Sequence, residues 1–240
     1  MNFRSLFAAA SVAAVVLAAQ PAAAAVYTSF TSLLSGGVLR DFEGQAEGTL
    51  ISNQLGGVTF SQTPSGLPQI DNIPQLFGYG PSSGVGVLTG STQGGNAFPT
   101  IAGINAAFTT GHNAVEFFFS DTVPVGGAYP ITFYGSGGSV LGSLSLAAAS
   151  ILPPGYAGGI FPPAGTSPLP GLFIGFTSAG NDIFGFSVGP GASTNDSFAI
   201  DDVRWTTGVI PEPSIWALML LGFGGLGAVL RRARRVAARA

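Results

Sequence analysis

Ala114-Val115-Glu116-Phe117-Phe118-Phe119-Ser120 is the stretch whose reading decides the fold. Val115, Phe117 and Phe119 alternate with Glu116, Phe118 and Ser120, the period of two expected of a strand with one buried face. Phe184, Phe186 and Val188 alternate with Gly185 and Ser187 in the same way. Outward from these two runs, short apolar segments recur at roughly ten-residue spacing, separated by clusters of Gly, Pro, Ser and Asn. They predict strands at Val38–Glu43, Gly57–Ser61, Val85–Thr89, Ala114–Ser120, Pro130–Tyr134, Ser139–Leu146, Leu172–Thr177, Ile183–Val188 and Ser197–Trp205. No amphipathic helical stretch interrupts them. The expectation is an all-β protein, a two-sheet, jelly-roll-like β-sandwich rather than a parallel sheet.

The two ends have a different composition. Met1–Ala25 has the layout of a secretory signal peptide: Arg4, an apolar run over Leu6–Ala19, and Ala23-Ala24-Ala25 as a small-residue cleavage site, with the cut placed between Ala25 and Val26. Such a leader implies the Sec translocon as a partner. At the other end, Ser214–Leu230 runs without a charge and would rise roughly 25 Å as a helix, close to the roughly 30 Å bilayer core. Trp216 stands near one end of that run and the arginines of the basic tail 231–240 crowd the other, so the positive-inside rule leaves everything before Pro211 outside the cytoplasm. The expected organisation is a signal peptide (1–25), an ectodomain (26–205), a tether (206–210) and a C-terminal segment (211–240) with one transmembrane helix over 214–230.

Charge and cysteine bound what the middle does. Between Val26 and Val209 ten carboxylates face only Arg40 and Arg204, leaving about −8 outside the membrane, although the whole chain is −3. Acidic surface repels nucleic acid and anionic headgroups, so no nucleic acid partner is expected. The chain has no cysteine, which excludes disulfides, thiolate catalysis and Cys-type zinc sites. About 185 residues remain once the ends are removed, enough for one domain held by burial alone.

The tail carries a resemblance. Pro211-Glu212-Pro213, then Trp216-Ala217, an apolar run and the cluster Arg231, Arg232, Arg234, Arg235 resemble the PEP-CTERM sorting signal of Gram-negative bacteria in its PEPxxWA form. The resemblance implies an exosortase as membrane partner, cutting near the tripeptide, and a protein exported across the inner membrane, anchored until processed, then passed to the envelope or extracellular matrix. Two prolines keep the tripeptide extended at the membrane surface, where a protease can reach it. By association that matrix is exopolysaccharide or biofilm material. Phe42–Gly44, Gly48–Thr49, Gly57–Ser61 and the terminal Phe198–Val203 look like the ectodomain recurrent in such proteins, and are similar in layout to carbohydrate-binding jelly rolls. In that class the first and last strands are commonly neighbours, and acids there often hold a structural calcium ion.

Asp41 and Glu43 on the first strand, with Asp201 and Asp202 on the last, are therefore the expected calcium ligands. Either Asp201 or Asp202 must share a strand face with apolar neighbours, and a carboxylate pressed inward needs a cation or several hydrogen bonds; Arg40 or Arg204 would serve in place of a metal. Catalysis has little to work with. His112, the sole histidine, falls in an expected turn over Thr109–Asn113, and no G-x-S-x-G elbow accompanies it. The sequence reads as a non-catalytic, glycan-binding or structural exported protein. A secreted polysaccharide hydrolase using two of these acids and an uncleaved membrane-anchored protein are the alternatives.

Overall fold

A computed structural model describes residues 24–72, 81–90, 102–121, 128–151, 171–189 and 198–206, within a compact unit spanning Ala23–Gly208. Most of the expected signal peptide, the tether beyond Thr206, the sorting segment and the Pro-rich 152–170 connection lie outside them. Among the described residues no helix is long and apolar enough to cross a membrane.

Strands β1 (Ala25–Ser29), β2 (Val38–Arg40), β3 (Val58–Thr63), β4 (Gln69–Asp71), β5 (Val87–Thr89), β6 (Gly103–His112), β7 (Ala114–Asp121), β8 (Ala128–Tyr134), β9 (Val140–Ala147), β10 (Gly171–Thr177), β11 (Ile183–Val188) and β12 (Phe198–Thr206) form two antiparallel sheets. One runs β1-β10-β7-β12-β5-β4 with β2 also on β12; the other runs β3-β6-β11-β8-β9. Their inner faces make the core. Leu172, Phe119, Ile200, Leu88 and Ile70 form one buried transverse row across the larger sheet, each the direct cross-strand partner of the next. Against this sheet pack Phe60, Phe108, Ile131, Phe133 and Phe186 from the smaller one. Phe117 stacks on Phe186 across the gap, ring centroids 4.4 Å apart.

The expected all-β, two-sheet class is what the structure has, and it departs from the predicted strands in instructive places. Strands β1, β4 and β6 were not legible. β6 is built largely from Ala, Gly, Thr and Asn, and its inward alternation of Ile104, Ala106 and Phe108 is too weak to stand out in the sequence. The expected turn over Thr109–Asn113 is mostly the end of that strand. Asn113 alone separates β6 in one sheet from β7 in the other. The first predicted strand stops at Arg40 because Phe42 takes a left-handed backbone (φ 60°), which turns its ring into the core against Phe60 at 5.7 Å. Asp41 and Glu43 thereby leave the strand.

β7 also differs from a strand with one buried face: Glu116, Phe118 and Ser120 on its outward side are all buried. The outer side of the larger sheet is covered.

Phe117→Ala should lower unfolding stability by about 3–5 kcal/mol, read from the guanidinium midpoint. Val140, 64 % exposed, should tolerate truncation to Ala within about 0.5 kcal/mol. Similar losses at both positions would contradict this core.

Candidate functional site

The covered side of the larger sheet is held by carboxylates. On its outward face Tyr27, Gly175, Glu116 and Arg204 lie in one cross-strand row. Gly175 leaves room for the Tyr27 ring to cross it: a Cβ at that position would run into the ring. Tyr27 Oη then donates to Glu116 Oε2 at 3.0 Å. The chain after β1 folds back over the same carboxylate, with Ser32 Oγ donating to Oε1 at 2.5 Å and the Leu33 N–H to Oε2 at 2.9 Å. Glu116 has no exposed surface, and three donors do for it what water does elsewhere. Burial, then the Glu116 charge and hydrogen bond, push the Tyr27 hydroxyl far above its usual range, so it stays a donor.

A second carboxylate group sits on β12. On the side away from β7, β12 is shared by two short partners, β5 beside Ala199–Ile200 and β2 beside Val203–Trp205. Asp201 and Asp202 fall in the gap. There the register with β7 shifts and Asp202 adopts φ 47°, a conformation Asp tolerates better than most residues. The chain 81–86 covers the gap. Ser82 N–H and Ser83 N–H donate to Asp201 Oδ2 at 2.9 and 3.3 Å, and Ser83 Oγ donates to Asp202 Oδ1 at 2.9 Å. Ser82 Oγ lies 3.1 Å from Asp201 Oδ2 and 2.7 Å from Asp202 Oδ2, while Arg204 Nη2 is 3.7 Å from Asp202. Glu43 holds the far end of the segment, Oε1 accepting the N–H groups of Val85 and Gly86 at 2.8 Å each. Gly84 passes so close that a Cβ there would strike the Glu43 carboxylate. Asp41 Oδ1 accepts the Glu43 N–H at 3.3 Å.

These contacts decide what the acids do. Burial first, then the neighbouring Asp202 charge, push the Asp201 carboxyl up to about 7, against N–H groups of Asp202, Ser83 and Ser82 that lower it. Ser82 Oγ has one proton to give and bridges the two carboxylates, within donating distance of both. Calcium takes six to eight oxygens, commonly several of them carboxylate. No three acidic or histidine side chains among the described residues gather in such an arrangement. Asp201, Asp202 and Glu43 already accept donors from 82–86, so the four expected ligands do not fit a calcium site. Among the described residues the partners of Asp201 and Asp202 are these hydrogen-bond donors and Arg204.

His112 ends β6 rather than lying in a turn. It is 4 % exposed, edge-on to Phe108 at 4.9 Å and 5.8 Å from the Trp205 ring. Neither ring nitrogen has a hydrogen-bond partner among the described residues, and burial lowers its pKa. It is packed as a core ring between Phe108 and Trp205. Ala25 and Val26, the expected signal-cleavage pair, open β1, where they pair with Thr177 and Phe176.

The sorting motif lies outside the described residues and is reached through sequence comparison. Residues 209–235 match the PEP-CTERM protein-sorting motif. The chain carries that sorting signal. Pro211, Glu212, Pro213, Trp216, Ala217 and the arginines 231, 232, 234 and 235 all fall inside the match. A PEP-CTERM signal implies an exported, membrane-sorted protein of the Gram-negative envelope with an exosortase as processing partner. No curated protein matches the chain. Among solved structures, the K2 cleaved adhesin domain of Lys-gingipain aligns with 16 % identity and a TM-score of 0.36, over 77 % of this chain and 99 % of that one.

The titrations have opposite signs. Asp201 is raised from 3.8 to about 7, so its contribution to stability is full below about pH 4 and is lost as pH rises through about 7. His112 is lowered from 6.5, so its contribution is present above that value and is lost as pH falls. Urea unfolding of Asp201→Asn should therefore lose the decline between about pH 4 and 7 that the parent shows; an unchanged pH slope would count against a raised Asp201 carboxyl. The melting temperature should not respond to millimolar calcium, and a rise that Asp201→Ala removes would reinstate the metal.

Proposed function

We propose that this chain is a non-catalytic structural and glycan-binding component of the extracellular matrix, handed over by an exosortase that cuts at the Pro211-Glu212-Pro213 motif. The observation that carries the reading is the PEP-CTERM match over residues 209–235. A signal of that kind joined to a β-sandwich suits a protein exported to serve outside the cell, where exopolysaccharide is the abundant partner.

The ectodomain's own residues support the non-catalytic half. A glycosidase needs two carboxyl groups facing a substrate across a gap of about 5–10 Å. Asp201, Asp202 and Glu116 are buried, and their oxygens accept hydrogen bonds from the chain's own serines, Tyr27 and backbone. His112 is enclosed by aromatic rings. Glu116, Asp201 and Asp202 act as internal fasteners, which leaves binding or mechanical roles to the surface.

Mass spectrometry of the protein recovered from the matrix of its own cells should find a C-terminus at or beside the tripeptide. An intact Ala240 on that material would favour the uncleaved anchored alternative. The same protein should release no reducing ends from the organism's polysaccharide, and release that survives purification would favour the hydrolase.

A further inference from the structure

The smaller sheet turns a second, unassigned surface outward. Five residues lie in a single transverse row across all its strands: Ser61 on β3, Asn105 on β6, Ser187 on β11, Thr132 on β8 and Ser143 on β9, each the direct register partner of the next. Ser61 and Ser143 are exposed and the three between them half-exposed. At about 4.8 Å per strand the row is roughly 19 Å long. None of the five strands contains Asp, Glu, Lys or Arg. The nearest carboxylate in the chain, Asp182, precedes β11. The other described acids belong to the larger sheet and its connections.

An antiparallel sheet normally turns polar residues to water, so hydroxyls alone carry no message. The absence of charge does. Surfaces of small domains are commonly about a quarter or more charged, and the outermost strands of a sheet are usually guarded by Lys or other charges. Here the face has neither. Its polar groups are partly fixed in advance: Asn105 Nδ2 donates to Thr63 Oγ1 at 2.7 Å, and Tyr134 Oη lies 3.0 Å from Ser187 Oγ. Short side chains and those two hydrogen bonds reduce the ordering lost on binding.

We infer that this face binds an uncharged polysaccharide laid across the strands, with the row from Ser61 to Ser143 as its hydrogen-bonding track; the inference rests on the glycan-binding role proposed above and assigns it a surface and a ligand class. Hydroxyl and amide groups both donate and accept, as sugar hydroxyls do. Tyr134 supplies a ring beside the track, and a sugar's apolar C–H face packs well on a ring. A polyanion finds no cation on this sheet and meets an ectodomain of about −8. A second copy of the chain is a poor occupant, because protein interfaces need a dehydrated apolar centre, and the central row of this face carries hydroxyls and an amide.

The test is co-sedimentation of the full-length protein, in detergent, with cellulose, insoluble β-1,3-glucan and chitin particles, and with alginate-bearing beads. The parent should be retained on at least one neutral glycan and not on alginate. Ser187→Arg and Thr132→Glu should reduce retention at least tenfold. Val85→Arg, on the other sheet's covering segment, should not. Ser61→Arg and Ser143→Arg sit at the exposed ends of the row, so a loss there with an unchanged melting temperature separates binding from folding. Equal retention of parent and row variants overturns the face while leaving glycan binding standing. No retention of the parent on any glycan overturns both readings. Retention on alginate alone overturns the uncharged ligand, and self-association that the row variants abolish gives the face to a second copy.

Discussion

Glu116 sits in the middle of the larger sheet with no exposed surface, and its hydrogen bonds come from Tyr27, Ser32 and Leu33. A carboxylate in that position is tolerated only if its oxygens are saturated, since an unpaired buried charge costs several kcal/mol. The requirement dictates much around it. Gly175 must lack a side chain so that Tyr27 can cross, and the chain after β1 must turn back over the sheet. Asp201 and Asp202 repeat the logic one strand along, where β2 and β5 diverge and a Ser-rich segment fills the gap. The outer side of this sheet is thus a closed layer tied down from beneath by acids.

The two sheets consequently face the outside on different terms. One is dressed by its own connections, with its carboxylates turned to internal use. The other is bare, small-featured and uncharged. That division places the buried acids Glu116, Asp201 and Asp202 on one sheet and leaves the strands of the other without charge.

The class of fold was legible because Val115, Phe117 and Phe119, and again Phe186 and Val188, alternate strongly enough to be read without neighbours; Phe184, expected on the same face, is half-exposed because the register shifts between Ile183 and Gly185 and Ile183 is buried in its stead. The sorting signal was legible because it is a contiguous motif. β6 was not, since alanine and glycine form strands only where packing supports them. The covered face of β7 was invisible for a related reason: Glu116 reads as a solvent residue until the segment that folds over it is known. Of the four acids grouped as metal ligands, one of Asp201 and Asp202 was expected to press inward and need a cation or several hydrogen bonds, and both are buried and hydrogen-bonded. The partners of Asp201, Asp202 and Glu43, the serines and backbone N–H groups of 82–86, carry no signal that marks them as such. The transverse row of the smaller sheet depends wholly on register, which links positions as distant as Ser61 and Ser187.

If buried carboxylates fasten the covering segments, those segments must be as stable as the strands beneath. Native-state hydrogen exchange reads this at single amides. The N–H groups of Leu33, Ser82, Ser83, Val85 and Gly86 should exchange as slowly as those of β7 and β10. Exchange at the rate of open loop residues would show that the acids do not hold that layer in place.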